Sequence, residues 1–333
     1  AVVVAVGLLE GGLRGLGAQV WTASPPAFDV QPPGWTQPDP VYGYVGAPGR
    51  YALRFADGFG AALTHGDDGW RTTGDGPGTG APVVEVHGGS FAYGLGLNDA
   101  ASLPWRLQEL LPEWRVRSRA LPGYGPMQAW VALDEHLANG TGPAVLVVAY
   151  AGFQDERVTL TRNWRRSLSA WDGGMLPPVP ATRTLWGVPV VQRGSPTLVA
   201  GPLAGRSVLA GRLVRIADRV EDAAASSHGV SRNLLLQLHR RGQQAGVRVV
   251  IAGLAQDRWT RDTLRWCAAR GAEVVDVGLP WREPAWSLAP HDGHPNAAAA
   301  ASWAVGIAQV IGPPERVAEA APEGAEPKID PSR

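Results

Sequence analysis

The segment Val83–Gly96, VVEVHGGSFAYGLG, holds the residue most able to do chemistry. Its β-branched run reads as a buried strand, Gly88-Gly89 breaks that strand, and Ser90 follows before a stretch that opens toward a helix. Glycines let the backbone turn sharply, so the hydroxyl stands exposed at the C-terminal end of a strand, where open α/β sheets put reactive groups. A serine so placed is a nucleophile or an ordinary turn residue, and the motif alone does not separate the two. Far downstream, HDGHPN (291–296) sets Asp292 and His294 two residues apart. A neutral imidazole can take a proton from a hydroxyl near neutral pH, and a carboxylate beside it fixes its tautomer. The plainer alternative makes Asp292 a helix cap and His294 a solvated loop residue. His291 reads as surface, and Pro295 suits the first turn of the helix that follows.

Two further turns complete the set. ALPGYGPMQ (120–128) leads from a strand through Gly123 into a helix, and backbone N–H groups on such a turn either face a developing oxyanion or belong to an ordinary loop. AYAGFQDERV (149–158) leaves another strand, and the Gln154 amide offers a donor of the type an oxyanion hole uses. The Asp155-Glu156-Arg157 triplet beside it reads as an ion-pair network without a catalytic role. A nucleophile, a base, its orienting acid and oxyanion donors are together the composition of a serine hydrolase.

Strands and helices must alternate to bring these turns together. Strands are expected at Val83–Val86, Trp114–Ala120, Ala144–Tyr150, Arg248–Ala252 and Glu273–Val277. Helices are expected at Ser102–Leu111, Pro126–Ala138, Ser207–Ala225, Val230–Gln244, Arg261–Ala269 and Asn296–Ile311. That order predicts an α/β fold of three layers, α/β/α, with a mostly parallel sheet. Residues 1–80 read as a lead-in: an apolar start, an extended irregular Pro/Gly-rich segment over Ala23–Gly49, and a β-hairpin of RYALRF and AALTHG joined by ADGFG. Residues 81–312 form the α/β domain, interrupted over about 162–202 by a Trp- and Pro-rich insert read as a loop or lid. Residues 313–333 read as a polar tail that frays.

Composition excludes several classes. Lys+Arg and Asp+Glu are both 30, so no basic face for nucleic acid is expected. Glycines near Leu95–Asn98 lack the dinucleotide fingerprint, and no phosphate loop of the GxxxxGK type occurs. No zinc-type Cys/His spacing appears, so neither a metal nor an organic cofactor is expected. Cys267, the one cysteine, lies in a helical pattern and reads as a small buried hydrophobe. AVVVAVGLL (1–9) falls short of the about 20 residues that span a bilayer and reads as the remnant of a signal or membrane anchor, the alternative being an ordinary first element. Among the 14 tryptophans, Trp164, Trp171 and Trp186 of the insert read as packing before they read as a sugar-stacking surface.

In the order of these blocks the chain resembles the SGNH (GDSL-like) hydrolase superfamily, from about Val83 to about Ile311. GGSFAYGLGLND is similar to its first block, with Ser90 at the nucleophile position; PGYG matches the second at Gly123; GFQD matches the third at Gln154; DGHPN matches the last at Asp292 and His294. Gly89 stands where the family has aspartate, and Gln154 where it has asparagine. The resemblance implies a flavodoxin-like α/β/α domain and a serine esterase acting on an O-acyl or O-acetyl ester. Ser90, His294 and Asp292 would be catalytic; the Ser90 and Gly123 N–H groups and Gln154 would hold the oxyanion. It implies a small-molecule or carbohydrate ester as substrate and, from the lead-in, an extracytoplasmic site. The alternatives are an O-acyltransferase using a carbohydrate or other hydroxyl acceptor and a catalytically weakened binding module on the same fold.

Overall fold

The computed structural model describes residues 2–20, 28–172, 178–185, 188–194, 203 and 206–314. Its strands, in chain order, are β1 (Phe28–Gln31), β2 (Thr36–Asp39), β3 (Gly43–Gly46), β4 (Gly49–Phe55), β5 (Gly60–His65), β6 (Val83–Gly88), β7 (Arg115–Ala120), β8 (Val145–Tyr150), β9 (Val179–Leu185), β10 (Val188–Gly194), β11 (Arg248–Ala255) and β12 (Glu273–Leu279). Its helices are α1 (Val2–Gly15), α2 (Ser90–Tyr93), α3 (Leu103–Leu110), α4 (Pro126–Ala138), α5 (Glu156–Thr159), α6 (Arg162–Asp172), α7 (Val208–Ala225), α8 (Ser227–Gln244), α9 (Arg258–Ala268) and α10 (Ala297–Ile311).

The central sheet runs β12-β11-β8-β6-β7, every pair parallel. Parallel strands need helical crossovers that cover both faces, so the inner strands are buried; VLVVAY of β8 is wholly buried and apolar, and β6 carries the buried Glu85 and His87. Helices α3 and α10 pack together on one face; α4, α8 and α9 form the other. After β6 the chain leaves by α3 on one face, whereas after β8 it leaves by α8 on the other. Neighbouring strands whose connections diverge leave a crevice at their C-terminal ends, the place such sheets use for ligands. Ser90 follows β6 and Gln154 follows β8, so both lie at that crevice.

The lead-in is more ordered than its composition suggests. The hairpin of β4 and β5 forms as expected, and β1 adds a third antiparallel strand. Strands β2 and β3 form a second hairpin inside the segment read as irregular. Aromatic burial outweighs the local Pro/Gly signal there: Tyr44 and Val45 on β3 and the neighbouring Tyr42 are buried against the domain. The insert read as a loop or lid contains helix α6 and the antiparallel hairpin of β9 and β10. Val179 and Ala181 of β9 are buried in the core, which anchors the hairpin. Trp164 packs against the core with Arg157 over its ring, 4.8 Å from the centroid. The Trp171 side chain and Trp186 lie outside the described residues, as do residues 315–333 of the tail.

Helix α1 leaves Val3, Val4, Leu8 and Leu9 exposed and is tied to α7 through Glu10, which accepts from the N–H groups of Val208 and Leu209 and from the Ser207 hydroxyl. Among the described residues no helix is long and apolar enough to cross a membrane. Cys267 on α9 is fully buried, and burial pushes its thiol up to about 12.

Candidate active site

Four turns at the C-terminal ends of the central strands bring the site together. Gly89 ends the β6 turn in extended backbone and Ser90 opens α2, so the hydroxyl sits at the mouth of the crevice with the residue otherwise buried. The loop after β12 returns to it: Ser90 Oγ lies 3.0 Å from His294 Nε2. His294 Nδ1 lies 2.5 Å from Asp292 Oδ1, and the same oxygen accepts the His294 backbone N–H at 2.7 Å. A carboxylate accepts only, so Nδ1 carries the proton and Nε2 presents its lone pair to the Ser90 hydroxyl. Partial burial works against charge on Asp292, but the hydrogen bonds from the His294 ring and backbone N–H prevail and hold its carboxyl below the usual range.

Asn296, not Asp292, caps α10, accepting the Ala299 N–H at 3.1 Å; its amide donates to the carbonyls of Ala285 and Ser287. That leaves the Asp292 carboxylate to the imidazole. Pro295, expected in the first helical turn, lies before this cap and bridges to Ser287 instead. His291 is no bare surface residue: its Nδ1 lies 2.6 Å from Asp57 Oδ2, and its ring stacks on Phe59 at 4.3 Å.

Gly123 sits in the turn closed by the Tyr124 N–H on the Leu121 carbonyl at 3.0 Å, with φ +92. Pro before a positive-φ glycine is the sequence of a type II turn, which spends the N–H of Tyr124 and leaves that of Gly123 free to serve a ligand. The lead-in clamps this turn from outside. The Tyr44 hydroxyl donates to Pro122 O at 2.6 Å, and the Tyr124 hydroxyl donates to Tyr44 O. Gln154 closes a single 3-10 turn, Gly152–Gln154, and is buried; its Nε2 has no hydrogen-bond partner. A buried amide nitrogen without a partner is costly unless a ligand meets it.

The triplet after Gln154 is not one network. Asp155 is buried and turned away, accepting from the Tyr150 hydroxyl at 2.8 Å and paired with His228 Nδ1 at 2.8 Å. Arg157 turns the other way, toward the loop carrying Ser90. Its Nη1 donates to Tyr124 O at 2.7 Å, and a Cβ placed on Gly89 would meet that nitrogen at 2.2 Å. Burial lowers the guanidinium to about 10. The sequence offered one signal for this: a glycine directly before Ser90 leaves a side-chain volume that another residue must fill.

On the far side of Ser90, Phe91 packs edge-on to His294 at 5.9 Å and contacts Phe153 and Trp281 at 5.2 and 5.0 Å. Phe153, Leu279, Pro280 and Trp281 line a groove of about 360 Å³ together with the polar Gln256, Asp257, Arg282 and Glu283. Among the described residues no cluster of His, Cys, Asp and Glu is arranged to hold a metal ion.

No family model matches the chain, and no curated protein does. Among solved structures it is similar to a lipolytic protein of the G-D-S-L family from Desulfitobacterium hafniense, at 10% identity and TM-score 0.39, over 69% of this chain and 99% of that one. It is also similar to the psychrotrophic esterase EstA from Pseudoalteromonas sp., at 10% identity and TM-score 0.39, over 69% of this chain and 96% of that one.

Proposed function

We propose that the protein is a serine esterase acting on an O-acyl ester. One observation carries this: the unbroken chain of contacts from Ser90 Oγ through the His294 ring to Asp292, 3.0 and 2.5 Å long. Ser90 Oγ attacks the acyl carbon as its proton passes to His294 Nε2, and the carbonyl becomes an oxyanion. The N–H groups of Ser90 and Gly123 and the unpartnered Gln154 Nε2 are the donors available to that oxygen. Collapse expels the alcohol, which takes the proton from His294. Water, deprotonated by the same nitrogen, then attacks the acyl-serine, and the acid leaves. Asp292 stays ionised throughout and stabilises the imidazolium.

The groove of Phe153 and Trp281 favours a second reading, in which a sugar hydroxyl replaces water as acceptor. Aromatic side chains beside polar ones suit a carbohydrate ring, and a seated acceptor would exclude water. Substitution of Ser90 tests the chemistry common to both. Ser90→Ala should lower cleavage of a small chromogenic acetate ester by about 10⁶. Unchanged cleavage by the pure variant would remove Ser90 from the mechanism. Product analysis with an added sugar acceptor separates transfer from hydrolysis.

A further inference from the structure

We infer that Arg157 is a positioning residue, which orients the Gln154 amide so that its nitrogen, not its oxygen, faces the oxyanion. This deepens the esterase reading and rests on it. The space that a side chain at residue 89 would occupy holds three groups instead: Arg157 Nη1 at 2.2 Å, Tyr124 O at 2.9 Å and Gln154 Oε1 at 3.0 Å from the missing Cβ. The carbonyl end of the amide and the guanidinium therefore share one small volume beside the nucleophile. The opposite end of the same amide, Nε2, is buried and without a partner.

The physics of that arrangement is directional. A primary amide is nearly symmetric in shape, so packing alone does not choose which end points where. A guanidinium is a donor only and always charged near neutral pH; it attracts the amide oxygen and repels the amide N–H groups. Arg157 is itself fixed on three sides. Nη1 is spent on Tyr124 O, the guanidinium lies over the Trp164 ring, and the stem crosses Gly125, whose missing Cβ would stand 3.1 Å from Arg157 Cβ. Among the described residues no carboxylate lies within ion-pair distance of it, and the opposing charge of Glu156 acts on it only at longer range. The longer glutamine would otherwise have freedom to turn either end to the site.

A double-mutant cycle tests this, with a chromogenic acetate ester as the probe. Gln154→Ala and Arg157→Met should each lower kcat, the former by about 10² as one lost oxyanion donor, with KM little changed. The double variant should be no slower than Gln154→Ala alone, because Arg157 acts only through that amide. Arg157→Lys should recover part of the loss. Multiplicative losses in the double variant would overturn the inference, as would a loss confined to KM. Thermal unfolding checks that each variant is folded; if Arg157→Met is not, the cycle is run with Arg157→Leu and read in the same way. If Ser90→Ala keeps full activity, the esterase reading itself falls; if it does not and the cycle multiplies, only the role of Arg157 falls.

Discussion

His291 and Asp57 are joined across the molecule: Nδ1 of one lies 2.6 Å from Oδ2 of the other, which ties the loop carrying Asp292 and His294 to the tip of the β4–β5 hairpin. Phe59 stacks on the same imidazole, and Leu288 at the base of the loop packs against Gly96 beside Phe55. The lead-in thus braces the loop carrying Asp292 and His294 from outside. Asp57→Ala should lower kcat on an acetate ester severalfold and leave the unfolding temperature nearly unchanged, since the Asp57–His291 pair is exposed. A comparison of steady-state kinetics with a thermal melt reads both halves of that expectation.

Asp292 serves one partner, because Asn296 has taken over the capping of α10. Asp292→Asn keeps the shape of the side chain but can donate to the ring, which favours the wrong imidazole tautomer. The expected loss in kcat is about 10⁴, with far-ultraviolet circular dichroism unchanged.

Gly123 has two reasons to resist substitution. Its φ is +92, and a Cβ there would fall 2.2 Å from the Tyr44 hydroxyl. Gly123→Ala should therefore cost stability, by more than the about 1 kcal/mol usual for a residue forced to positive φ, and should also lower kcat by displacing an oxyanion donor. Urea unfolding and ester kinetics on one preparation separate the two effects.

His65 gives the stability a pH dependence remote from the chemistry. Its Nδ1 donates to Ala47 O at 3.0 Å, so Nε2 accepts from the Tyr93 hydroxyl at 2.8 Å. Burial lowers this imidazole to about 4. Between its unfolded value near 6.5 and that folded value, the unfolded chain binds the proton and the folded one does not. Stability is therefore full above about pH 6.5 and falls as the pH drops toward 4, by up to about 3 kcal/mol from this residue. Urea midpoints at pH 7.5 and 5 should differ in the wild type, and the difference should shrink in His65→Gln.

Much of this architecture could be read from residue patterns. The three inner strands β6, β8 and β11 announce themselves as β-branched runs because they are buried on both faces, and the turns after the strands as glycines, because sharp reversals require them. The approach of Asp292 and His294 to Ser90 follows from block order and sheet geometry. What escaped has a common cause: long-range packing overruling local signals. Strands β1 to β3 lie in or beside proline- and glycine-rich chain that reads as irregular, yet buried aromatics hold them. Arg157 is adjacent in sequence to Glu156 and close to Asp155, which suggested ion pairing, but Asp155 is claimed by His228 and Tyr150. The partner of Arg157 is a carbonyl 33 residues away. Pro295 misled for a local reason, since Asn296 directly after it is the stronger cap.

The sealed position of Cys267 on α9 turns the chain into its own clock. With a single thiol, shielded from solvent and hard to ionise, thiol-alkylating reagents meet no target until the α9 region opens. The rate at which the native protein takes up one label therefore reports how often its core breathes, without any engineered probe.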